Sequence, residues 1–161
     1  MLEIVIPTIK CVKLQQSSYY PRATKTIFAL LKANIKIPTY SIVEFNGLID
    51  TLSHDDQRLQ ILSDPSGCFE NDSGSWRQQK GQLRIQVSSA IQCNWSSGVG
   101  IYFNLTNPAS AQQAPVITLS IHLGETFTYA VPLSADFESR PLHGRLGGSQ
   151  PLFIFTPKFI T

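Results

Sequence analysis

Side chains that could support catalysis or metal binding are few and widely spaced in this chain of 161 residues. His54 is followed by two aspartates, but adjacent loop residues cannot converge on one ion, so this triplet predicts a solvated turn. His122 stands three residues before Glu125, and a strand followed by a turn sends those two side chains apart. His143 lies in a glycine-rich loop. The sequence therefore favours a protein that is not an enzyme and that needs no metal or cofactor.

Cysteine and serine provide no nucleophile motif either. No Gly-x-Ser-x-Gly sequence is present, and residues 96–100 (SSGVG) predict a hairpin turn instead of a nucleophile elbow. Cys11 and Cys93 are expected in the core, whereas Cys68 lies in a polar segment and is expected to be the reactive thiol. Three cysteines allow one disulfide, and the sequence does not fix its pairing.

Three Asn-x-Ser/Thr sequences are candidate glycosylation sites, at Asn71, Asn94 and Asn104. About one such match is expected by chance in a chain this rich in serine and threonine. The start of the chain has an acidic residue and a short apolar run where a signal peptide has a base and a long one, which favours the cytoplasm. On balance the acceptor sequences favour an extracellular or virion-surface location over a cytoplasmic one.

A long segment almost without charge is the main indication of a binding surface. Between Arg84 and Asp136 the only formally charged residue is Glu125, and apolar residues alternate with uncharged polar ones. Soluble proteins usually cover exposed faces with lysine and glutamate, so a face that lacks them is expected to contact a ligand or partner. Amide side chains beside aromatic rings suit carbohydrate. The predicted ligand-binding residues are Trp76, Gln92, Asn94, Tyr102 and Asn104.

Basic residues are concentrated near the start of the chain. Residues 1–36 carry six Lys or Arg against one Glu, whereas residues 37–80 carry three basic and seven acidic residues. We expect these two segments to pair within the fold, and the net charge of +2 does not suggest a nucleic-acid partner. A phosphate-binding role for the basic segment ranks last among the hypotheses. It would use Lys10, Lys13, Arg22, Lys25, Lys32 and Lys36.

Alternation of apolar and polar residues predicts about ten short strands. Residues 21–33 are predicted to form the one short helix, because a proline opens the segment and three aliphatic side chains share one face, with Lys25 and Lys32 away from it. Residues 64–81 are predicted to be a long loop because they are dense in Asp, Ser, Gly and Asn. The strands outside the two hairpins discussed next are predicted at 2–6, 9–14, 40–45, 48–52, 58–62, 152–155 and 159–160, with Asn46-Gly47 as a hairpin turn.

Residues 83–105 are predicted to form a long hairpin. Odd-numbered positions are apolar or small along both arms, which indicates two half-buried strands. A three-residue loop ending at Gly98 would join them and needs a positive φ at that glycine. In this register Gln92 lies opposite Tyr102 on the polar face.

A second hairpin is predicted from 116–123 and 126–133. A two-residue turn at Gly124-Glu125 would place aliphatic and aromatic side chains on opposite faces, whereas a three-residue loop pairs Leu123 with Phe127 and keeps them together. Because burial decides register, we expect the three-residue loop. Pro132 cannot donate a backbone hydrogen bond, so its strand should lie at an edge or bulge.

These patterns predict a single domain (1–161), mainly β, folded as an antiparallel β-sandwich similar to a jelly roll. The composition resembles that of lectin-like sandwiches and viral structural proteins, and this similarity is one of amino-acid composition only. We expect a binding or surface-assembly module that recognises a glycan or protein, forms a homo-oligomer and has no membrane span. The alternative is a small β-barrel that encloses an apolar molecule, as a carrier or a shape-driven cyclase-like enzyme.

Overall fold

A computed structural model describes residues 7–89, 92–123, 127–133 and 152–154; side chains are not described for 127–133. The described part of the chain forms ten β-strands and contains no helix. The strands are β1 (Ile9–Gln16), β2 (Thr24–Ala33), β3 (Ile42–Asn46), β4 (Asp56–Gln60), β5 (Leu62–Asp64), β6 (Phe69–Arg77), β7 (Gln82–Val87), β8 (Val99–Thr106), β9 (Ile117–Leu123) and β10 (Phe127–Leu133). The predictions for residues 2–6, 159–160, Glu125 and the His143 loop lie outside these residues.

The strands form two antiparallel sheets packed together as a β-sandwich, which confirms the predicted fold class. One sheet has four strands in the order β1-β2-β8-β5, and the other has six in the order β10-β9-β3-β7-β6-β4. Phe45 of β3 meets Phe103 of β8 between the sheets, with ring centroids 5.9 Å apart. The inward side chains of both sheets belong to one buried apolar cluster.

Alternation along each strand explains why this core forms. On β8, Val99, Ile101, Phe103 and Leu105 are buried, and the residues between them face outwards. The same pattern recurs on β7 and β9. Each fully buried aliphatic or aromatic side chain contributes about 1.5–3 kcal/mol to the stability of the fold. A strand with the opposite side facing inwards would expose several of these side chains and lose their contributions.

The predicted helix at residues 21–33 is wrong, because Thr24–Ala33 forms strand β2 in the middle of the four-stranded sheet. Lys25, Ile27, Ala29, Leu31 and Ala33 are all buried, and the residues between them are not. The helical interpretation treated Lys25 as exposed, and once that residue is counted as buried the period is two. The β-branched threonines at the start of the segment also favour a strand.

The predicted hairpin at residues 83–105 is also wrong. Strands β7 and β8 lie in different sheets, and the segment between them crosses from one sheet to the other. Tyr102 therefore pairs with Phe28 and Leu62, and not with Gln92. Gly98 does have the positive φ that was expected, at 119°, within a turn closed by its N–H donating to the carbonyl of Asn94.

The prediction for the second hairpin is confirmed. Strands β9 and β10 pair antiparallel with Leu123 opposite Phe127, which is the register of a three-residue connection. Tyr129 lies opposite Ile121, and Val131 lies opposite Leu119. In the described part of the chain β10 is the edge strand of its sheet, as the proline at position 132 requires.

Three further local predictions need correction. Asn46-Gly47 does not begin a hairpin, because residues 47–52 form no strand and β3 pairs with β7 and β9. Residues 58–62 fall across β4 and β5, which belong to different sheets. The predicted loop at 64–81 contains the nine-residue strand β6. Polar composition predicted the loop, but β6 is a strand whose pairing is irregular with both β4 and β7, and its polar residues lie mostly on its outer face.

Candidate functional site

The outward side of the four-stranded sheet, here called the four-stranded face, carries two of the five predicted ligand-binding residues. Tyr102 and Asn104 stand two positions apart on β8 and both point outwards. Tyr102 is half-buried and Asn104 is exposed. Both residues thus face outwards, as the alternation in the sequence predicts, but their neighbours come from strands other than the predicted one.

A row of side chains crosses all four strands at the level of Tyr102. Gln15 of β1 is opposite Phe28 of β2, Phe28 is opposite Tyr102, and Tyr102 is opposite Leu62 of β5. The rings of Phe28 and Tyr102 are stacked, with centroids 4.6 Å apart and an interplanar angle of 29°. Leu62 is 58% exposed. This set, here called the aromatic row, presents a continuous apolar strip bordered by an amide.

Gly100 lets the two rings lie low on the sheet. A Cβ at this position would be 3.1 Å from Cε2 of Phe28 and 3.5 Å from Cε2 of Tyr102. Both rings therefore extend over the backbone of β8 beside Asp64, the residue opposite Gly100 on β5. A larger residue at position 100 would push the rings away from the sheet and break the strip.

Hydrogen-bonding groups follow the aromatic row on one side. The hydroxyl of Thr26 donates to Oδ1 of Asn104 at 2.8 Å, so the amide nitrogen of Asn104 is turned towards solvent. Two positions further along the same strands, the hydroxyls of Thr24 and Thr106 lie 3.4 Å apart. These uncharged donors and acceptors occupy the positions where most soluble sheets carry charge.

Lysines occupy the other side of the row and are here called the basic end. Lys10 is directly opposite Lys32, and Lys13 is opposite Leu30, which places all three lysines on the outward side. Gly98 lies next to Lys32, whose Cε would be 3.5 Å from a Cβ built on that glycine. The predicted pairing of the basic first segment with the acidic second is wrong within the described residues, where the ion pairs join Glu44 to Arg84 and His122.

The other three predicted ligand-binding residues are elsewhere. Trp76 is on β6 and fully buried, with its indole N–H donating to the carbonyl of Ser53 at 3.0 Å, so its predicted exposure is wrong. Gln92 is exposed on the segment between the sheets, and its amide donates to the carbonyl of Ser66. Asn94 is exposed at the turn before β8, where Oδ1 accepts from the backbone and hydroxyl of Ser96.

A disulfide between Cys68 and Cys93 shows that the prediction of a reactive thiol at Cys68 is wrong, whereas Cys93 packs partly buried against the core. The disulfide links the residue before β6 to the segment that leads to β8, across a sequence separation of 25. Cys11 is the buried free thiol, as predicted. Its burial raises the pKa from 9.0 to about 12, so it is not a reactive nucleophile.

The outward side of the six-stranded sheet carries a charged cluster around Glu44. Nε of Arg84 lies 3.1 Å and Nε2 of His122 lies 3.6 Å from Oε2 of Glu44, and the amide of Asn46 donates to Oε1 at 2.8 Å. A carboxylate held by three neighbours is an ordinary ion-pair network on a sheet. It forms a contrast with the four-stranded face, whose centre is uncharged.

A lysine is buried beneath the four-stranded face. Lys25 is 1% exposed, and its ammonium nitrogen donates to Oε1 of Gln16 at 2.8 Å. Desolvation by burial lowers its pKa from 10.5 to about 7. The same Oε1 accepts from the backbone of Leu152, and the Gln16 amide donates to the carbonyl of Phe153. Gln16 thus links Lys25 to the segment 152–154.

The described part of the core contains no enclosed cavity that would hold a small ligand. Side chains of both sheets fill the space between the layers, and the sheets have separate edges, unlike the closed barrel of the alternative hypothesis. Depressions of about 430, 320 and 420 Å³ lie at the surface. Among the described residues, no group of three or more His, Cys, Asp or Glu side chains is placed to hold a metal ion.

All three candidate glycosylation sites are exposed, as expected. Asn71 is on β6 with a positive φ of 54°, Asn94 caps its turn, and Asn104 lies on the four-stranded face. A glycan on Asn104 would cover Tyr102, so this asparagine can serve as a sugar acceptor or as part of a binding surface, but not as both at once.

Comparison of the chain with protein-family models, with curated proteins and with solved structures gives no match. In the part of the chain that the structure describes, no helix is long and apolar enough to pass through a membrane.

Phe28, Leu62 and Gln15 are the members of this face that sequence reasoning missed. The alternation of Thr24–Lys32 already places Phe28 on the same side as Thr26 and Leu30. This signal was outweighed by a helical pattern that the same residues also fit. The pairing of Leu62 with Tyr102 has no counterpart in the local sequence.

Proposed function

We propose that this protein is a non-enzymatic carbohydrate-binding module whose site is the four-stranded face. The observation that carries the proposal is the stacked pair of Phe28 and Tyr102 at the centre of a face that carries amides and hydroxyls beside the rings. Pyranose rings have apolar C–H faces and a rim of hydroxyls. Such molecules need an apolar contact beside directional, uncharged hydrogen-bonding groups.

The arrangement of the face supplies both needs at compatible distances. Asn104 is two positions from Tyr102 on the same strand, so its amide lies about 7 Å along the sheet from the centre of the aromatic row. Because Thr26 holds Oδ1 of Asn104, the amide nitrogen is oriented before a ligand arrives. Preorganisation of this kind lowers the entropic cost of binding. Gln15 offers a second amide at the β1 side of the row.

An extracellular or virion-surface location is proposed together with this function. Disulfides persist mainly in oxidising environments, and this chain has one between Cys68 and Cys93. Exposure of all three Asn-x-Ser/Thr asparagines is compatible with passage through a glycosylating pathway. Both observations agree with a protein that meets glycans outside the cytoplasm.

The decisive experiment compares wild-type protein with Phe28→Thr and Tyr102→Thr on a glycan array, followed by calorimetric titration of the strongest hit. Threonine keeps strand propensity while it removes the ring. We expect each change to weaken binding at least about tenfold, equivalent to about 1.4 kcal/mol. The protein should be produced without glycosylation, so that Asn104 stays unmodified.

Tyr40→Asn is the matched control. Tyr40 is 70% exposed and lies before β3, away from the face, and its positive φ of 67° is one that asparagine accepts. This variant should bind like the wild type. Unchanged binding by the two threonine variants, with their melting temperatures preserved, would show that the site is elsewhere.

A further inference from the structure

We infer that the glycan recognised by the four-stranded face is anionic, with carboxylate or sulfate groups that reach the basic end while a sugar ring rests on the aromatic row. The inference depends on the proposed function, since it names the ligand class for the same site. It is carried by the position of three lysines relative to the stacked rings.

The basic end is a concentration of like charge for which the described residues supply no ion-pair partner. Lys10 and Lys32 are directly opposite each other in an antiparallel pair, where like charges are destabilising. Lys13 stands on the neighbouring row. Among the described residues the ion pairs are those of Glu44, on the other sheet, and none involves these three lysines. An anionic ligand would relieve the repulsion.

Asp64 is the acidic residue that shares a row with Lys13, and it is too distant to act as its partner. The row runs Lys13, Leu30, Gly100, Asp64 across four strands. Three strand spacings amount to about 14 Å. This separation exceeds the screening length of about 8 Å at physiological ionic strength. The lysines therefore act as a positive group separate from Asp64.

Distances along the sheet match a short oligosaccharide. Lys13 is one row from the aromatic row and Lys32 is two rows away, which gives about 7 Å and about 14 Å along the strand direction, at a rise of about 3.4 Å per residue. A sugar on Phe28 and Tyr102 would thus place charged groups of the next units beside these lysines.

Two glycines, one on β8 and one in the turn just before it, leave the path between the two parts of the site without side chains from this segment. Gly100 and Gly98 occupy the outward positions between Tyr102 and the basic end. Side chains of β2 extend over them, with Phe28 above Gly100 and Leu30 and Lys32 above Gly98. No side chain of β8 obstructs a ligand that runs along the strand from the rings to the lysines.

The test uses an array that carries neutral and anionic glycans. Chitohexaose is the neutral probe, and a hyaluronan octasaccharide and a heparin hexasaccharide are the anionic probes. A single-stranded oligothymidylate is printed beside them as an anionic polymer that is not a glycan. The hyaluronan and heparin probes distinguish carboxylate from sulfate. We expect the preferred anionic glycan to bind about tenfold more tightly than its neutral counterpart at low salt, as several exposed ion contacts allow. This preference should decrease as salt increases.

The Lys13→Gln/Lys32→Gln double variant should lose the preference for anionic glycans and keep its affinity for neutral ones. Lys80→Gln is the matched control, because Lys80 is exposed in the turn before β7 on the other sheet and should change neither affinity. A melting temperature at or above that of the wild type would confirm that the double variant is folded.

Each other outcome overturns a defined part of the reasoning. Equal affinity for neutral and anionic glycans, unchanged in the double variant, would refute the charge inference and leave the carbohydrate site intact. Absence of binding to every glycan would refute both. Tighter binding of oligothymidylate than of any glycan, with dependence on the lysines and on Phe28, would assign the face to single-stranded nucleic acid instead.

Discussion

Replacement of the buried Lys25 by methionine should make the protein more stable, and more so at neutral than at alkaline pH. Lys25 points into the core from β2, and its hydrogen-bond acceptor there is the neutral amide oxygen of Gln16. Burial lowers its pKa from 10.5 to about 7. Methionine has a similar length, no charge and enough flexibility to fill the same space.

The expected gain in the free energy of unfolding follows from the lowered pKa of Lys25. A decrease from 10.5 to about 7 corresponds to roughly 5 kcal/mol at about 1.36 kcal/mol per pKa unit. Methionine also leaves Gln16 without the ammonium donor, although Oε1 keeps the backbone N–H of Leu152. We therefore expect Lys25→Met to raise the free energy of unfolding at neutral pH by about 2–4 kcal/mol, at the upper end of the roughly 1–4 kcal/mol gained when buried ion pairs are replaced by apolar groups.

The direction of the pH dependence is also fixed. Between about pH 7 and 10.5 the unfolded chain holds the Lys25 proton and the folded protein does not. Stability of the wild type therefore rises with pH in that window and is lowest below it. From about pH 7 to pH 9 the rise amounts to about 2 kcal/mol. The advantage of Lys25→Met should shrink by the same amount over this range.

Urea denaturation, followed by the fluorescence of the buried Trp76 and Trp95, measures this effect. The series should stop near pH 9, because the raised pKa of the Cys11 thiol has the opposite effect above that pH. Lys32→Met, at an exposed position of the same strand, is the control and should show no such dependence. A Lys25→Met protein that is less stable than wild type at neutral pH, or an advantage independent of pH, would refute the reasoning.

Two further changes test the connections around β8. A Cys68→Ser/Cys93→Ser double change removes the disulfide, which closes a loop of 25 residues. It should lower the free energy of unfolding by about 3 kcal/mol. An unchanged midpoint of urea denaturation would show that the disulfide does not stabilise the fold. Gly98→Val should cost about 1 kcal/mol or more, because Gly98 has a φ of 119° and a Cβ there would be 3.1 Å from Leu30. Gly98→Asn, which tolerates positive φ better, should cost less, and the reverse order would contradict the backbone argument.

The candidate site was only partly predictable from the sequence. Parity along 99–105 correctly placed Tyr102 and Asn104 on an outward face. The ring that stacks on Tyr102 comes from Phe28, in a segment whose aliphatic spacing also fits a helix. Trp76 was expected at the surface because its neighbours are polar, but β6 turns the indole inwards to a carbonyl acceptor. Local composition does not reveal which side of an unrecognised strand is buried.

Sequence alone determined that the chain is a β-sandwich, which residues of β7, β8 and β9 are buried, and the register of β9 with β10. These properties depend on alternation and turn length, which are local. Tertiary structure decided which sheet each strand joins. Strands β7 and β8 have the same parity and bury their odd-numbered residues in the same core from opposite sides. A period of two identifies the inward face of a strand but not the strand beside it, so the neighbours that complete the aromatic row are fixed only by packing.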